Sequence, residues 1–219
     1  MKDILQLLIS KYDFFLALAA EHLAISAVSV LIAGAVGLFL GILICEKEKL
    51  SPFILGTTNV VYTIPAISML GFLIPVTGIG NITAITALSI YALLPMVRNT
   101  YAGINSVDKD ILEVAKGMGS TKAQILYKIK LPLAAPIIMA GLRNMAVMTI
   151  ALAGIASFIG AGGLGVAIYR GITTNNYAMT IAGSLLIALM AMIADIIFGQ
   201  IEKRIIVRTQ VRTRKNFNK

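Results

Sequence analysis

HLAISAVSVLIAGAVGLFLGILIC, from His22 to Cys45, contains no Asp, Glu, Lys or Arg. At about 1.5 Å of rise per residue, a helix of this length crosses the roughly 30 Å of hydrocarbon in a bilayer. Similar stretches follow. Leu50 to Val97 is long enough for two spans, and Gly78-Ile79-Gly80-Asn81 supplies a break between them. Leu131 to Tyr169 is interrupted only by Arg143. Gly171 to Ala194 continues to Gln200 past Asp195. The sequence therefore predicts an all-α polytopic membrane protein with five transmembrane helices, near 20–45, 53–76, 82–103, 133–158 and 177–200.

Composition agrees. Of 219 residues 58% are hydrophobic and 13% charged, against about 25% charged in a soluble domain. The single cysteine, Cys45, excludes a disulfide framework within the chain and a thiolate metal cluster. With no tryptophan and one histidine, His22, a metal or haem enzyme is not expected, and both His22 and Cys45 read as packing residues flanking the first span. Residues 1–19 mix Asp3, Lys11 and Asp13 with apolar positions. They read as an external, interfacial amphipathic segment rather than a cleaved leader. The transmembrane domain is expected over 20–203, followed by a basic tail over 204–219.

Basic residues orient the chain. With the amino terminus outside, 15 of the 19 Lys and Arg fall on the cytoplasmic side. The expected topology is amino terminus out and carboxyl terminus in, as a multi-pass protein of a bacterial cytoplasmic membrane. The net charge of +9 then records orientation and contact with membrane lipid, and no nucleic-acid partner is expected. Arg208, Arg212, Arg214 and Lys215 in the tail suit anionic lipid, an attraction that salt screens.

The most polar internal stretch, 105–132, lies between the third and fourth spans. From Ser106 it reads SVDKDILEVAKGMGSTKAQILYKIKLP. Asp108 suits a helix cap, Gly117 and Gly119 suit a left-handed stop, and Ser120 or Thr121 can open a second short helix. A loop on the lipid headgroups is one reading, and a knob that docks into a soluble partner is the other. The spacing Glu113-Val114-Ala115, three residues, Gly119, nine residues, then Ile129-Lys130-Leu131-Pro132 resembles the EAA loop of ATP-binding cassette importer permeases. Val114 in place of Ala is the one departure.

That resemblance implies a type I importer permease fold with a cytoplasmic coupling-helix loop between helices 3 and 4. It implies that Glu113, Val114, Ala115, Gly119, Ile125, Ile129, Leu131 and Pro132 couple the chain to an ATPase. Glu113 would make polar contact, Gly119 the sharp turn, and Ile111, Leu112, Ile125 and Leu126 would fill the partner's groove. Further stretches, VVYTIPAISMLGFLIP, YALLPMVRNTYAGI, LPLAAPIIMAGLRN and ASFIGAGGLG, resemble the branch that handles glycine betaine, carnitine and choline. The implied partners are two ATPase subunits, a second permease chain (identical or similar) and an external substrate-binding protein or lipoprotein. No cofactor is expected in this chain, and ATP and Mg belong to the ATPase.

Other signals fit around this reading. Gly160 to Gly165 matches G-x-G-x-x-G, yet follows a membrane span rather than a strand, so it reads as a place of close backbone packing and not a nucleotide site. No Walker A motif occurs, which puts hydrolysis on another chain. Arg143 and Asp195 lie at similar depth and are expected to pair. Pro65 and Pro95 are expected inside spans two and three. The resemblance implies that Tyr62, Thr63, Ile64 and Pro65 line a pathway, with Pro95 on span three a further candidate; aromatic faces suit a cation with no N–H to donate, and Tyr62, Phe72, Tyr91 and Tyr101 are the candidates along spans two and three. A methionine or other small-solute importer remains the alternative within the class. An ion-coupled secondary transporter would need coupling groups in broken helices, and a channel would need a filter.

Overall fold

The computed structural model describes residues 2–217, with side chains from 2 to 207. Lys2–Ser10 forms α1 and Tyr12–Glu46 forms α2. The boundary expected at residue 20 is therefore not a break, because the first spanning helix starts at Tyr12. Ser51–Thr63 is α3 and Ala66–Thr77 is α4. Asn81–Asn105 is α5, and the polar segment supplies α6 (Lys109–Gly117) and α7 (Lys122–Ile125). A π turn, Leu126–Lys130, leads into α8 (Leu131–Ala153), which tightens to a 3₁₀ helix over Gly154–Ile159. Gly165–Thr173 is α9 and Tyr177–Phe217 is α10. The basic side chains expected at the lipid surface from Arg208 onward lie outside the described side chains, and the helix passes through the boundary expected at 203.

Among the described residues four stretches are long and apolar enough to cross a membrane, and α3 with α4 makes a fifth span if the bent pair counts as one. The bend between them is 102°. This corrects the expectation of a continuous helix over 53–76. Pro65 lies at the junction and not inside a helix, with Ile64 extended at φ −67° and ψ 128°. Pro65 has no N–H to bond back to Val61, and the Ile64 N–H takes that carbonyl instead, which closes α3. Pro95, by contrast, lies within unbroken α5.

Without a hydrophobic drive between helices in lipid, close backbone approach holds the bundle. α2 and α5 meet through Gly37 and Gly41. A Cβ on Gly41 would stand 2.4 Å from the Thr100 Cβ, and one on Gly37 would stand 2.7 Å from the Met96 Cβ. Beside them Ala33, Ala92, Met96 and Met145 form a buried cluster that joins α2, α5 and α8. Toward the ends joined to the polar segment Cys45, Ile104 and Ala134 form another, with the Cys45 thiol 3.8 Å from the Tyr101 carbonyl oxygen. On the other flank Phe15 and Leu18 of α2 pack with Ala167 of α9 and Met179 and Ala182 of α10, and α1 covers them through Ile4, Leu7 and Leu8.

His22 explains the change of helix type at the end of α8. Its Nε2 donates to the Ile150 carbonyl at 2.9 Å. The Gly154 N–H turns to Ala151 and Leu152 instead, and the backbone winds tighter into the glycine-rich loop.

Gly41→Val is expected to destabilise the chain by about 1–3 kcal/mol, because overpacking forces α2 away from α5. Gly56→Ala is the control, since nothing lies within 4 Å of a Cβ there. Thermal unfolding in detergent checks both, and equal melting points would contradict the packing argument.

Candidate functional site

The polar segment folds as a capped hairpin. The Asp108 carboxylate accepts from the Asp110 N–H at 3.0 Å to open α6. At its end Gly119 adopts φ +80°, and the Ser120 N–H returns to the Ala115 carbonyl. That 6→1 bond with a left-handed glycine closes the helix. Thr121 and Gln124 then exchange the reciprocal bonds of a capping box, 2.9 and 3.2 Å, to open α7. Gly117, the other glycine expected at the stop, is the last residue of α6.

The faces of this hairpin differ from expectation. Ile125 and Leu126 are buried within the chain, as is Ala115, and Ile111 and Leu112 are half-buried. The residues turned outward are Glu113, Val114 (64% exposed), Met118 (82%) and Tyr127 (66%). A groove-filling role for Ile125 and Leu126 is thereby corrected: these side chains seat the hairpin on its own bundle. Ile129, Leu131 and Pro132 are half-buried where the π turn enters α8. Lys130 also approaches Glu46 of α2 at 4.0 Å.

A second cluster forms where the second span breaks. The Tyr91 hydroxyl donates to the Ile64 carbonyl. Tyr62 and Tyr91 meet edge to face with ring centroids 6.1 Å apart, and the Tyr62 hydroxyl donates to the Met148 sulfur at 3.2 Å. Thr63 is exposed and caps back to the Val60 carbonyl at 2.7 Å. Tyr62, Thr63, Pro65 and Tyr91 therefore come together, with Pro95 one turn along the Tyr91 face of α5. Beyond it Arg98 donates through Nη2 to the Asn59 amide oxygen of α3 at 2.8 Å. Met148 and Asn59 were not foreseen. Arg98 was counted only for orientation, although its place seven residues after Tyr91 puts it on the same helix face.

Arg143 and Asp195 form a two-bond pair, 2.6 and 2.8 Å, which joins α8 to α10. Glu202 adds a third bond to the guanidinium at 3.2 Å. Depth alone suggested the pair, but Glu202 required knowledge of which way α10 faces. At the opposite end Glu21 of α2 accepts from the Asn81 side chain at 3.0 Å and from the Gly163 N–H at 3.2 Å, while Asn81 accepts from the Gly162 N–H at 2.9 Å. The G-x-G-x-x-G match is thus stitched to α2 and the start of α5. Among the described residues no group of three His, Cys, Asp or Glu side chains is placed to hold a metal ion.

Residues 14–207 match the family described as binding-protein-dependent transport system inner membrane component. The chain is 47% identical over 184 residues to the glycine betaine/carnitine/choline transport system permease protein OpuCD of Bacillus subtilis (strain 168), covering 84% of this chain and 80% of that one. It is 42% identical over 184 residues to the carnitine transport permease protein OpuCD of Listeria monocytogenes serotype 1/2a (strain 10403S), covering 84% and 82%. Among solved structures, the MetNI methionine ABC transporter in an inward-facing conformation superposes with a TM-score of 0.78 at 24% identity, over 84% of this chain and 93% of that one. An amino acid ABC transporter with histidines gives 0.74 at 21%, over 90% and 96%. These two likenesses bear on the fold alone.

Arg143→Met is expected to lower the melting temperature in detergent more than Glu202→Gln does. The first strands two carboxylates at membrane depth, whereas the second weakens one of three bonds. Equal shifts, read by thermal unfolding, would count against the brace.

Proposed function

The chain belongs to the family of inner membrane components of binding-protein-dependent transport systems, and on that premise we propose that it carries quaternary-ammonium osmolytes (glycine betaine, carnitine or choline) into the cell. It is a permease, a transport subunit and not an enzyme, and its family works with an ATPase on a separate chain, a substrate-binding protein and a second permease. The assembly we propose has two permease chains, identical or similar, above two ATPase subunits that bind ATP and Mg. The amino terminus is outside and the carboxyl terminus cytoplasmic, on the strength of the basic-residue distribution.

The capped hairpin is the observation that carries this reading. A short helical knob moves its bundle only if it is stiff and joined firmly to the spans. Here both caps are closed, Ala115, Ile125 and Leu126 are buried, and α5 and α8 continue from either end. Glu113, Val114, Met118 and Tyr127 present the face that meets the ATPase. ATP binding draws the two ATPase subunits together, the hairpins follow, and α5 and α8 switch the pathway between its two openings. Tyr62, Thr63, Pro65, Tyr91 and Pro95 line that pathway at the break in the second span. The relatives' substrates support the choice of cargo, and aromatic faces suit a trimethylammonium group.

Reconstitution in vesicles with the ATPase and the binding protein tests the reading. Uptake of glycine betaine should require ATP, and uptake driven by an ion gradient alone would overturn it. Gly119→Leu should leave membrane insertion intact, because nothing lies within 4 Å of a Cβ there. The φ of +80° suits glycine and strains leucine, so the hairpin loses its stop. ATP hydrolysis should persist while uptake falls at least about tenfold; normal uptake would remove the hairpin from the coupling path.

A further inference from the structure

We infer that Arg98 is a specificity-determining residue that receives the carboxylate of zwitterionic substrates, on the cytoplasmic side of the aromatic cluster that receives their quaternary ammonium. This rests on the importer reading above.

The chain carries two arginines at membrane depth, and they are treated differently. Arg143 is neutralised by two carboxylates, Asp195 and Glu202. Arg98 takes part in no ion pair among the described residues; its one side-chain partner is the neutral amide of Asn59. It is also exposed. Arg98 lies seven residues before the end of α5 and Asn59 eight after the start of α3, so both sit about 10–12 Å in from the cytoplasmic ends. An arginine with no counter-charge facing lipid at that depth is costly, so this face meets water or an anionic ligand.

Its surroundings form two layers. In the outer one Tyr62 of α3 meets Tyr91 of α5 through the ring contact and Met148 of α8 through the hydroxyl–sulfur bond. Tyr62 is 40% exposed, so its ring remains open to a ligand. α3 also ends here, and the negative end of its dipole points at the same place. These features favour a cation that donates no hydrogen bond. Toward the cytoplasm the same three helices present Asn59, three residues before Tyr62, Arg98, seven after Tyr91, and the exposed Asn144, four before Met148. This layer supplies donors and one positive charge, which favour a carboxylate. The Arg98 backbone lies about 10 Å from Tyr91 along α5, but its guanidinium is held at Asn59, only three residues or about 5 Å from Tyr62 along α3, a separation that a short carbon linker between ammonium and carboxylate can bridge.

A bare cation gains nothing from the inner layer and is repelled by Arg98, whereas a betaine satisfies both layers at once. The structure thus separates the cargo by its carboxylate: glycine betaine and carnitine engage Arg98, and choline does not.

Uptake of glycine betaine and of choline is measured in vesicles holding the full transporter, with the binding protein unchanged throughout, for the wild type, Arg98→Gln and Arg98→Lys. Arg98→Gln should lower glycine betaine uptake about tenfold, the loss expected for one charge-assisted hydrogen bond, and leave choline uptake unchanged or raised. Arg98→Lys should retain at least about a third of glycine betaine uptake, because the charge remains. Assembly is checked by co-purification with the ATPase. If Arg98→Gln does not assemble, Asn59→Ala decides: it frees the guanidinium and should lower glycine betaine uptake more than choline uptake. Equal losses for the two substrates, equal losses for Gln and Lys, or wild-type betaine uptake by Arg98→Gln would overturn the assignment of Arg98. Failure of the wild type to take up any quaternary amine would instead remove the importer reading on which it rests.

Discussion

The hydroxyl of Tyr91 donates to the carbonyl of Ile64 where the second span turns through 102°. Backbone at membrane depth has no water to bond with, so non-helical chain survives there only where protein or a wet cavity covers it. Tyr91 provides that cover from α5. The bond closes a circuit, since α5 is also the helix against which α2 and α8 pack. Because α3 is bent away at Pro65, Tyr62 and Thr63 are left at a helix end, facing the same side as Arg98 and Met148. A straight second span would bury its aromatic residue in a helix–helix seam, with no half-helix dipole nearby.

Mechanical continuity runs in the other direction. The hairpin enters α8 through a π turn at Leu126–Lys130 rather than through a loop, so any displacement of it would reach the spanning helix without slack. Arg143, just past the middle of α8, would pass such a displacement to α10 through Asp195 and Glu202. Further along the same helix His22 holds the Ile150 carbonyl, and in the glycine-rich loop beyond it Glu21 holds the Gly163 N–H. Polar side chains thus tie α8 at two heights and the loop beyond it at a third, in addition to the apolar clusters. In lipid this is sensible, because apolar surfaces gain little by leaving one hydrocarbon environment for another.

Charge placement made most of this fold legible before any coordinates. Spans one, three, four and five follow from stretches with at most one charge each, and the hairpin follows from Asp108, Gly119 and Thr121, whose capping chemistry is local. The break at Pro65 was not legible, because a proline within an apolar run is compatible with a kink or with a full stop. The choice depends on Tyr91, 27 residues later in the chain. Azimuth was the other missing quantity. Depth along a helix can be counted from its ends, which brought Arg143 to Asp195, but rotation about the axis decides that Glu202 joins them and that Ile125 points inward. The bond from Glu21 to Gly163 links positions 142 residues apart and has no local signature.

Cys45 is the chain's one thiol, and it is buried between α2, α5 and α8. Its environment makes the native protein nearly silent toward thiol-reactive labels. A spectroscopic probe introduced by substitution on the exposed hairpin, or beside the broken span, would therefore report from one known place. The opening and closing of the pathway can be followed as a change in distance between two such probes without first redesigning the protein.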